Sequence, residues 1–296
     1  MRKNIIIQVC AAIVLVACCT ILGCISNPVS KKGLIAFSAD GTPISYSVYG
    51  KGDVSLVFIH GWCCDSRYWQ RQINYFAKKY KVVTLDLAGH GHSGNIRKVY
   101  TIEAFGQDVK SVADKEHLEK VVLIGHSMGG EVAASAAGLL ADKAVGLIGV
   151  DTLQNVEQKV TREQADKILN GLKSDFRPFA ARFIKGMFRD DAPSEIVDWV
   201  INDMTAADPE AAVSMTTEYF KLFVGNTVKD LFKGLDIPVR AIDSDMTPID
   251  YEANRKHMKS FNAIIMPNTG HFLMMVRYDE FNQNLADTIQ WILNSE

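Results

Sequence analysis

Four near-continuous apolar runs, Val54–Ile59, Val82–Leu85, Val121–Ile124 and Ala144–Val150, are each too short for a buried helix of ordinary length. Helical patterns separate them, near Tyr68 to Lys79, Ile102 to Glu116 and Met128 to Leu140. A strand that is apolar on both faces belongs in a sheet covered on both sides. Alternation of such strands with helices implies parallel pairing through right-handed crossovers.

Ahead of these runs, Leu34–Ser38 and Ile44–Tyr49 alternate at period two around Asp40-Gly41-Thr42-Pro43 and read as a hairpin. After Val150 the alternation stops. Residues 152–234 are mostly helical in pattern and rich in large apolar side chains, among them Phe176, Phe183, Trp199, Tyr219 and Phe223. Strand patterns resume at Ile237–Ile242 and Ala263–Met266, and an amphipathic helix follows near Glu280 to Leu293. The expected fold class is α/β: one mostly parallel eight-stranded sheet with helices on both faces. Residues 33–151 and 235–296 form it, and residues 152–234 are a helical insertion after the sixth strand. A formal net charge of -2 and no basic stripe argue against a nucleic-acid partner.

The N-terminus is a separate unit. Met1-Arg2-Lys3-Asn4 is basic, Ile5 to Leu22 is almost wholly apolar, and the chain turns polar at Ser26. This is an export-signal pattern. Gly23-Cys24 resembles a bacterial lipobox, which makes Cys24 the expected lipidation site, residues 1–24 the signal and 25–32 a linker. An uncleaved membrane anchor and an ordinary cleaved signal are the alternatives, since the apolar stretch approaches the roughly 20 residues that span a bilayer. All three put the folded body outside the cytoplasm. Four of the six cysteines fall in this leader, leaving Cys63 and Cys64 in the body. Adjacent α-carbons lie about 3.8 Å apart, closer than a relaxed disulfide allows, so two thiols are expected.

The third run leads straight into Gly125-His126-Ser127-Met128-Gly129 and then a helical stretch. A strand-to-helix turn this sharp needs residues without bulk beside Ser127, whose hydroxyl is then pushed out over the sheet edge. The helix that follows aims free amides and its positive dipole end at the same spot. A serine hydroxyl is a weak nucleophile until a base takes its proton, and the base needs a third group to orient it. His271 follows Gly270 directly after the last strand candidate, where a base belongs. The acid is expected after the strand Val239–Ile242, where Asp243 and Asp245 both sit, with Asp250 a little further on. His60-Gly61-Trp62 ends an earlier strand. There the Trp62 N–H, together with the Met128 N–H, would supply an oxyanion-stabilising pair.

These motifs, with Asp86-Leu-Ala-Gly-His-Gly-His-Ser-Gly94 and Gly270-His271-Phe272, resemble the alpha/beta-hydrolase superfamily, in the branch with a helical cap after the sixth strand. The resemblance covers Gly33 to Glu296. It implies Ser127 as nucleophile, His271 as general base, and Trp62 and Met128 as oxyanion donors. Asp245 is the favoured acid, although Asp243-Ser-Asp245 is shorter than the family's usual Gly-x-x-Asp turn. Asp243 and Asp151 are the other candidates, because some relatives place the acid at the tip of the sixth strand. His90-Gly-His92 reads as a loop and not a metal pair, and Cys63-Cys64 as packing. No metal or organic cofactor is implied. The expected activity is cleavage of an ester-type bond in a small to medium apolar acyl substrate through an acyl-enzyme. Lactonase, thioesterase and carbon–carbon hydrolase chemistry, or a ligand sensor with a slow triad, are the alternatives.

Overall fold

The computed structural model of the chain describes residues 30–295, so the leader and Cys24 lie outside the described residues. The strands are β1 Ser30–Phe37, β2 Pro43–Tyr49, β3 Ser55–Ile59, β4 Lys81–Leu85, β5 Val121–His126, β6 Ala144–Val150, β7 Val239–Ser244 and β8 Asn262–Met266. They form one sheet in the order β1-β2-β4-β3-β5-β6-β7-β8. The β1–β2 hairpin is antiparallel and β2 meets β4 antiparallel; every other neighbouring pair is parallel. This is the mostly parallel eight-stranded sheet expected from the alternation of strands and helices. β7 begins at Val239 and not at Ile237, because Pro238 has no N–H for the ladder and contributes only its carbonyl, to the Leu147 N–H at 3.0 Å.

The core helices are α1 Gln70–Phe76, α2 Ile102–Lys115 and α3 Met128–Leu140. Successive side chains of a strand point to opposite faces, and the central strands feed two cores accordingly. Val57 and Ile59 of β3 join Val121 and Leu123 of β5 under α2 and α3, while Leu56, Phe58, Val122 and Ile124 face the other way. That second face is covered by Ile73 and Phe76 of α1 and by the C-terminal helix, whose Phe281, Leu285, Ile289 and Ile292 are fully buried. Burial on this scale, at about 25 cal/mol per Å² of apolar surface, is the main force holding helices to sheet.

Between β6 and β7 lie four further helices, α4 Arg162–Ser174, α5 Phe176–Lys185, α6 Ser194–Met204 and α7 Pro209–Gly225. After β7 come α8 Tyr251–Arg255, α9 Leu273–Val276 and α10 Tyr278–Leu293. α4 starts with a reciprocal cap: Thr161 Oγ1 accepts the Gln164 N–H, and Gln164 Oε1 accepts the Thr161 N–H. Among the described residues no helix is long and apolar enough to cross a membrane.

The strand order decides where a site can form. The chain leaves β3 for β4 on one side and later returns to β5 on the other, so a crevice opens beyond the carboxyl ends of β3 and β5. Ile59 pairs with Gly125 across that point, which brings the segment after β3 beside the turn after β5.

Candidate active site

Ser127 occupies the turn between β5 and α3 with φ 53° and ψ -128°, a conformation rare for a residue with a side chain. Its N–H donates to the Val150 carbonyl at 3.0 Å, and its carbonyl accepts the Gly130 N–H at 2.8 Å. The flanking glycines are obligatory for steric reasons. A Cβ at Gly125 would overlap the Gly129 carbonyl, and one at Gly129 would sit 2.6 Å from the Ile59 carbonyl oxygen. The Ser127 side chain is thereby held at the mouth of the crevice, above the N-terminus of α3. Gly61 packs against it, which brings the Trp62 backbone close; among the described residues the Trp62 and Met128 N–H groups have no acceptor. The Trp62 indole donates to the Ala212 carbonyl of α7 at 3.1 Å and so fastens this loop to the insertion.

His271 lies seven residues before α10, its N–H donating to the Met187 carbonyl at 2.9 Å. Its Nδ1 meets Oδ2 of Asp151 at 2.6 Å. A carboxylate only accepts, so Nδ1 carries a proton, and in the neutral ring Nε2 is left with its lone pair. Asp151 follows β6 directly and is buried. The Ser244 N–H donates to its other oxygen at 2.7 Å, and its own N–H donates to the Ile242 carbonyl at 3.0 Å. Burial works against its charge. The His271 hydrogen bond and charge, with the Ser244 amide, outweigh burial and hold the carboxyl below its ordinary range.

Of the acid candidates, the structure brings Asp151, and not the favoured Asp245, to His271. Asp245 lies past the end of β7, points outward and pairs with Arg189 at 3.3 Å. Asp243 is fully buried, and its Oδ1 accepts the Thr152 N–H at 3.1 Å. Burial and the neighbouring Asp151 charge push its carboxyl well up. Asp250 caps α8 by accepting the Ala253 N–H at 2.9 Å. Asp151 is the one brought to His271. The signal for it in the sequence was its place immediately after an apolar strand, together with the missing glycine in the turn after β7.

His60, His90 and the two cysteines are tied into the scaffold. His60 donates from Nδ1 to the Gly61 carbonyl and accepts the Leu87 N–H at Nε2. His90 donates to the Ala88 carbonyl and accepts the Cys63 N–H, while the His92 side chain is largely exposed. The two histidines of that loop therefore do not converge, and among the described residues no group of three or more His, Cys, Asp or Glu could hold a metal ion. Cys63 and Cys64 are buried free thiols whose acidity burial suppresses.

Residues 54–278 match the family model described as alpha/beta hydrolase fold. The chain belongs to that family. It is similar to a non-heme chloroperoxidase of Kitasatospora aureofaciens, 27% identical over 277 residues that cover 86% of this chain and 98% of the relative. It is also similar to the pimeloyl-[acyl-carrier protein] methyl ester esterase of Wigglesworthia glossinidia brevipalpis, 25% identical over 240 residues, 77% of this chain and 91% of that one. Among solved structures, a thermophilic esterase from Thermogutta terrifontis superimposes with a TM-score of 0.75 at 21% identity, covering 88% of this chain and 98% of that one.

Two residues of this alpha/beta-hydrolase site stood outside the sequence expectations. His126, just before the serine, donates from Nε2 to the His271 carbonyl at 2.9 Å and steadies the loop that carries His271. Burial and then the nearby His271 pull its pKa down to about 3, so it stays neutral. Glu131, one helical turn beyond Ser127, is 2% exposed. Burial pushes its carboxyl up to about 8, opposed by its own backbone N–H and by the Tyr219 and Thr152 side chains.

The folded chain therefore keeps a proton on Glu131 that the unfolded chain loses near the ordinary value of 4.5. Stability falls as pH rises through the window from there to about 8, and by pH 7 this group costs about 3 kcal/mol. Glu131→Gln, which cannot ionise, should remove that part of the dependence. The drop in Tm between pH 5 and pH 7.5 is expected to shrink by roughly 6–10 °C in thermal melts. An unchanged drop would mean that Glu131 ionises as easily in the native state as in the unfolded one.

Proposed function

We propose that this chain is a serine hydrolase that cleaves an ester-type bond of a small substrate through an acyl-enzyme. The observation that carries the reading is the 2.6 Å contact from His271 Nδ1 to Asp151, made by an imidazole that lines the same cavity as the strained Ser127. With Nδ1 protonated, Nε2 is the base that takes the Ser127 proton as Oγ attacks the carbonyl carbon. The tetrahedral oxyanion is received by the Trp62 and Met128 N–H groups, each donor of this kind being worth about 2.7–4 kcal/mol of transition-state stabilisation. Collapse expels the alcohol, which takes the proton from His271. Water then attacks the acyl-enzyme under the same base and frees the acid. Throughout, Asp151 stabilises the imidazolium from a position set by the Ser244 amide.

The cavity measures about 180 Å³, which favours short acyl groups over long ones. Esterases among the similar proteins support the choice of bond. The proposal also places the folded body outside the cytoplasm, tethered by lipid on Cys24. That part rests on the leader pattern of residues 1–24 alone.

The test is to treat the full chain with a fluorophosphonate and to offer it chromogenic esters of graded acyl length. One equivalent of label on the peptide containing Ser127, and repeated turnover that is highest for short chains, are expected. Label on a different residue, or no turnover, would overturn the reading.

A further inference from the structure

The cavity that holds Ser127 and His271 is not the apolar pocket that a plain aliphatic acyl group would call for. Beside Leu153, Phe223 and Val228 it is lined by Glu131, Tyr219, Thr152, Gln154, Asn155 and Gln158, and by no Lys or Arg. Glu131 is the unusual member. Its Oε2 is buried and has no hydrogen-bond partner among the described residues. Leaving such an atom unmet costs about 1–3 kcal/mol, and buried polar atoms without partners are few in native proteins. The Tyr219 and Thr152 side chains act on this carboxyl, and its one unmet oxygen, on a residue lining the cavity of the nucleophile, is prepared for a group that arrives with the substrate.

Resting on the serine-hydrolase reading, we infer that Glu131 is a specificity-determining residue: it receives an uncharged hydrogen-bond donor of the substrate, which makes short hydroxylated acyl esters the substrate class. The geometry sets the reach. Glu131 follows Ser127 by one helical turn, about 5–6 Å along α3, and that span matches a hydroxyl on the third or fourth carbon of an acyl group bound to Ser127. The charge pattern selects against other groups. An anionic substituent would meet the Asp151 carboxylate with no Lys or Arg lining the cavity to offset it. A cationic one would need an ionised Glu131, whereas burial keeps this carboxyl protonated below pH about 8. Tyr219, whose hydroxyl lies beside the Glu131 carboxyl, comes from α7 of the insertion, so the pocket is completed from outside the sheet.

The test compares methyl 3-hydroxybutyrate with methyl 3-methylbutyrate, which differ by a hydroxyl in place of a methyl of nearly equal size. For the full chain, kcat/KM is expected to favour the hydroxy ester by at least about tenfold, since a site built to bond a hydroxyl discriminates strongly against its absence. Glu131→Leu should bring the ratio to one or below, and Glu131→Gln should retain a preference for the hydroxy ester. The ratio is read within each variant, so a loss of folded material cancels, and fluorophosphonate labelling counts the active fraction. Equal rates on the two esters in the native protein, or an unchanged ratio in Glu131→Leu, would overturn the Glu131 assignment and leave the serine hydrolase intact. A stronger Glu131-dependent preference for methyl 3-aminobutyrate would overturn the uncharged-donor assignment. Absence of turnover together with absence of labelling would remove both readings.

Discussion

Asp151→Asn is expected to lower kcat by about 10⁴-fold, the scale seen when a triad acid becomes an amide. The local hydrogen bonds explain why so small a change does so much. The Ser244 N–H donates to Oδ1 and needs an acceptor there, so the amide oxygen of the variant stays at that end. The new NH₂ group then faces His271 Nδ1. Two donors cannot share that contact, so the imidazole shifts its proton to Nε2 and loses the lone pair that should take the serine proton. Asp245→Asn is the control. It loses only a half-exposed ion pair to Arg189, worth about 0–1 kcal/mol, and should leave kcat within about twofold. Steady-state kinetics of both variants on one short-chain ester decides between them. A large loss in Asp245→Asn with a small one in Asp151→Asn would move the acid to the loop after β7.

Ser127→Ala carries the other large expectation: a fall in kcat of about 10⁴–10⁶-fold, with no fluorophosphonate uptake. The oxyanion donors and the cavity remain, so some rate above the uncatalysed reaction should persist. The turn itself is held by backbone bonds to the Val150 carbonyl and from the Gly130 N–H, so the variant should melt with the native protein. Retained turnover in a cleanly folded Ser127→Ala protein would end the acyl-enzyme mechanism and point to another nucleophile in the cavity.

Legibility in the sequence tracked how local each requirement was. Gly125, Ser127 and Gly129 could be read because a tight strand-to-helix turn imposes its demands within five residues, and the contacts that force the glycines lie at that turn and on the neighbouring strand. His271 could be read from its position just past the last strand. The acid could not. Asp243, Asp245 and Asp151 all sit at strand ends on one edge of the sheet, and the choice depends on which carboxyl finds the Ser244 amide and the His271 ring. His126 and Glu131 were hidden for a similar reason. A histidine or glutamate beside an apolar run has no recognisable signature until its neighbours are known.

The order of apolar runs and helical patterns was enough by itself to determine an α/β sheet with a serine turn at one edge, because strand burial and turn sterics act over a few residues. Tertiary structure alone decided the partner of His271 and the neutral carboxyl in the cavity. Both depend on burial and hydrogen bonds between segments far apart in the chain, 120 residues in the case of Asp151 and His271, and no local pattern encodes those distances.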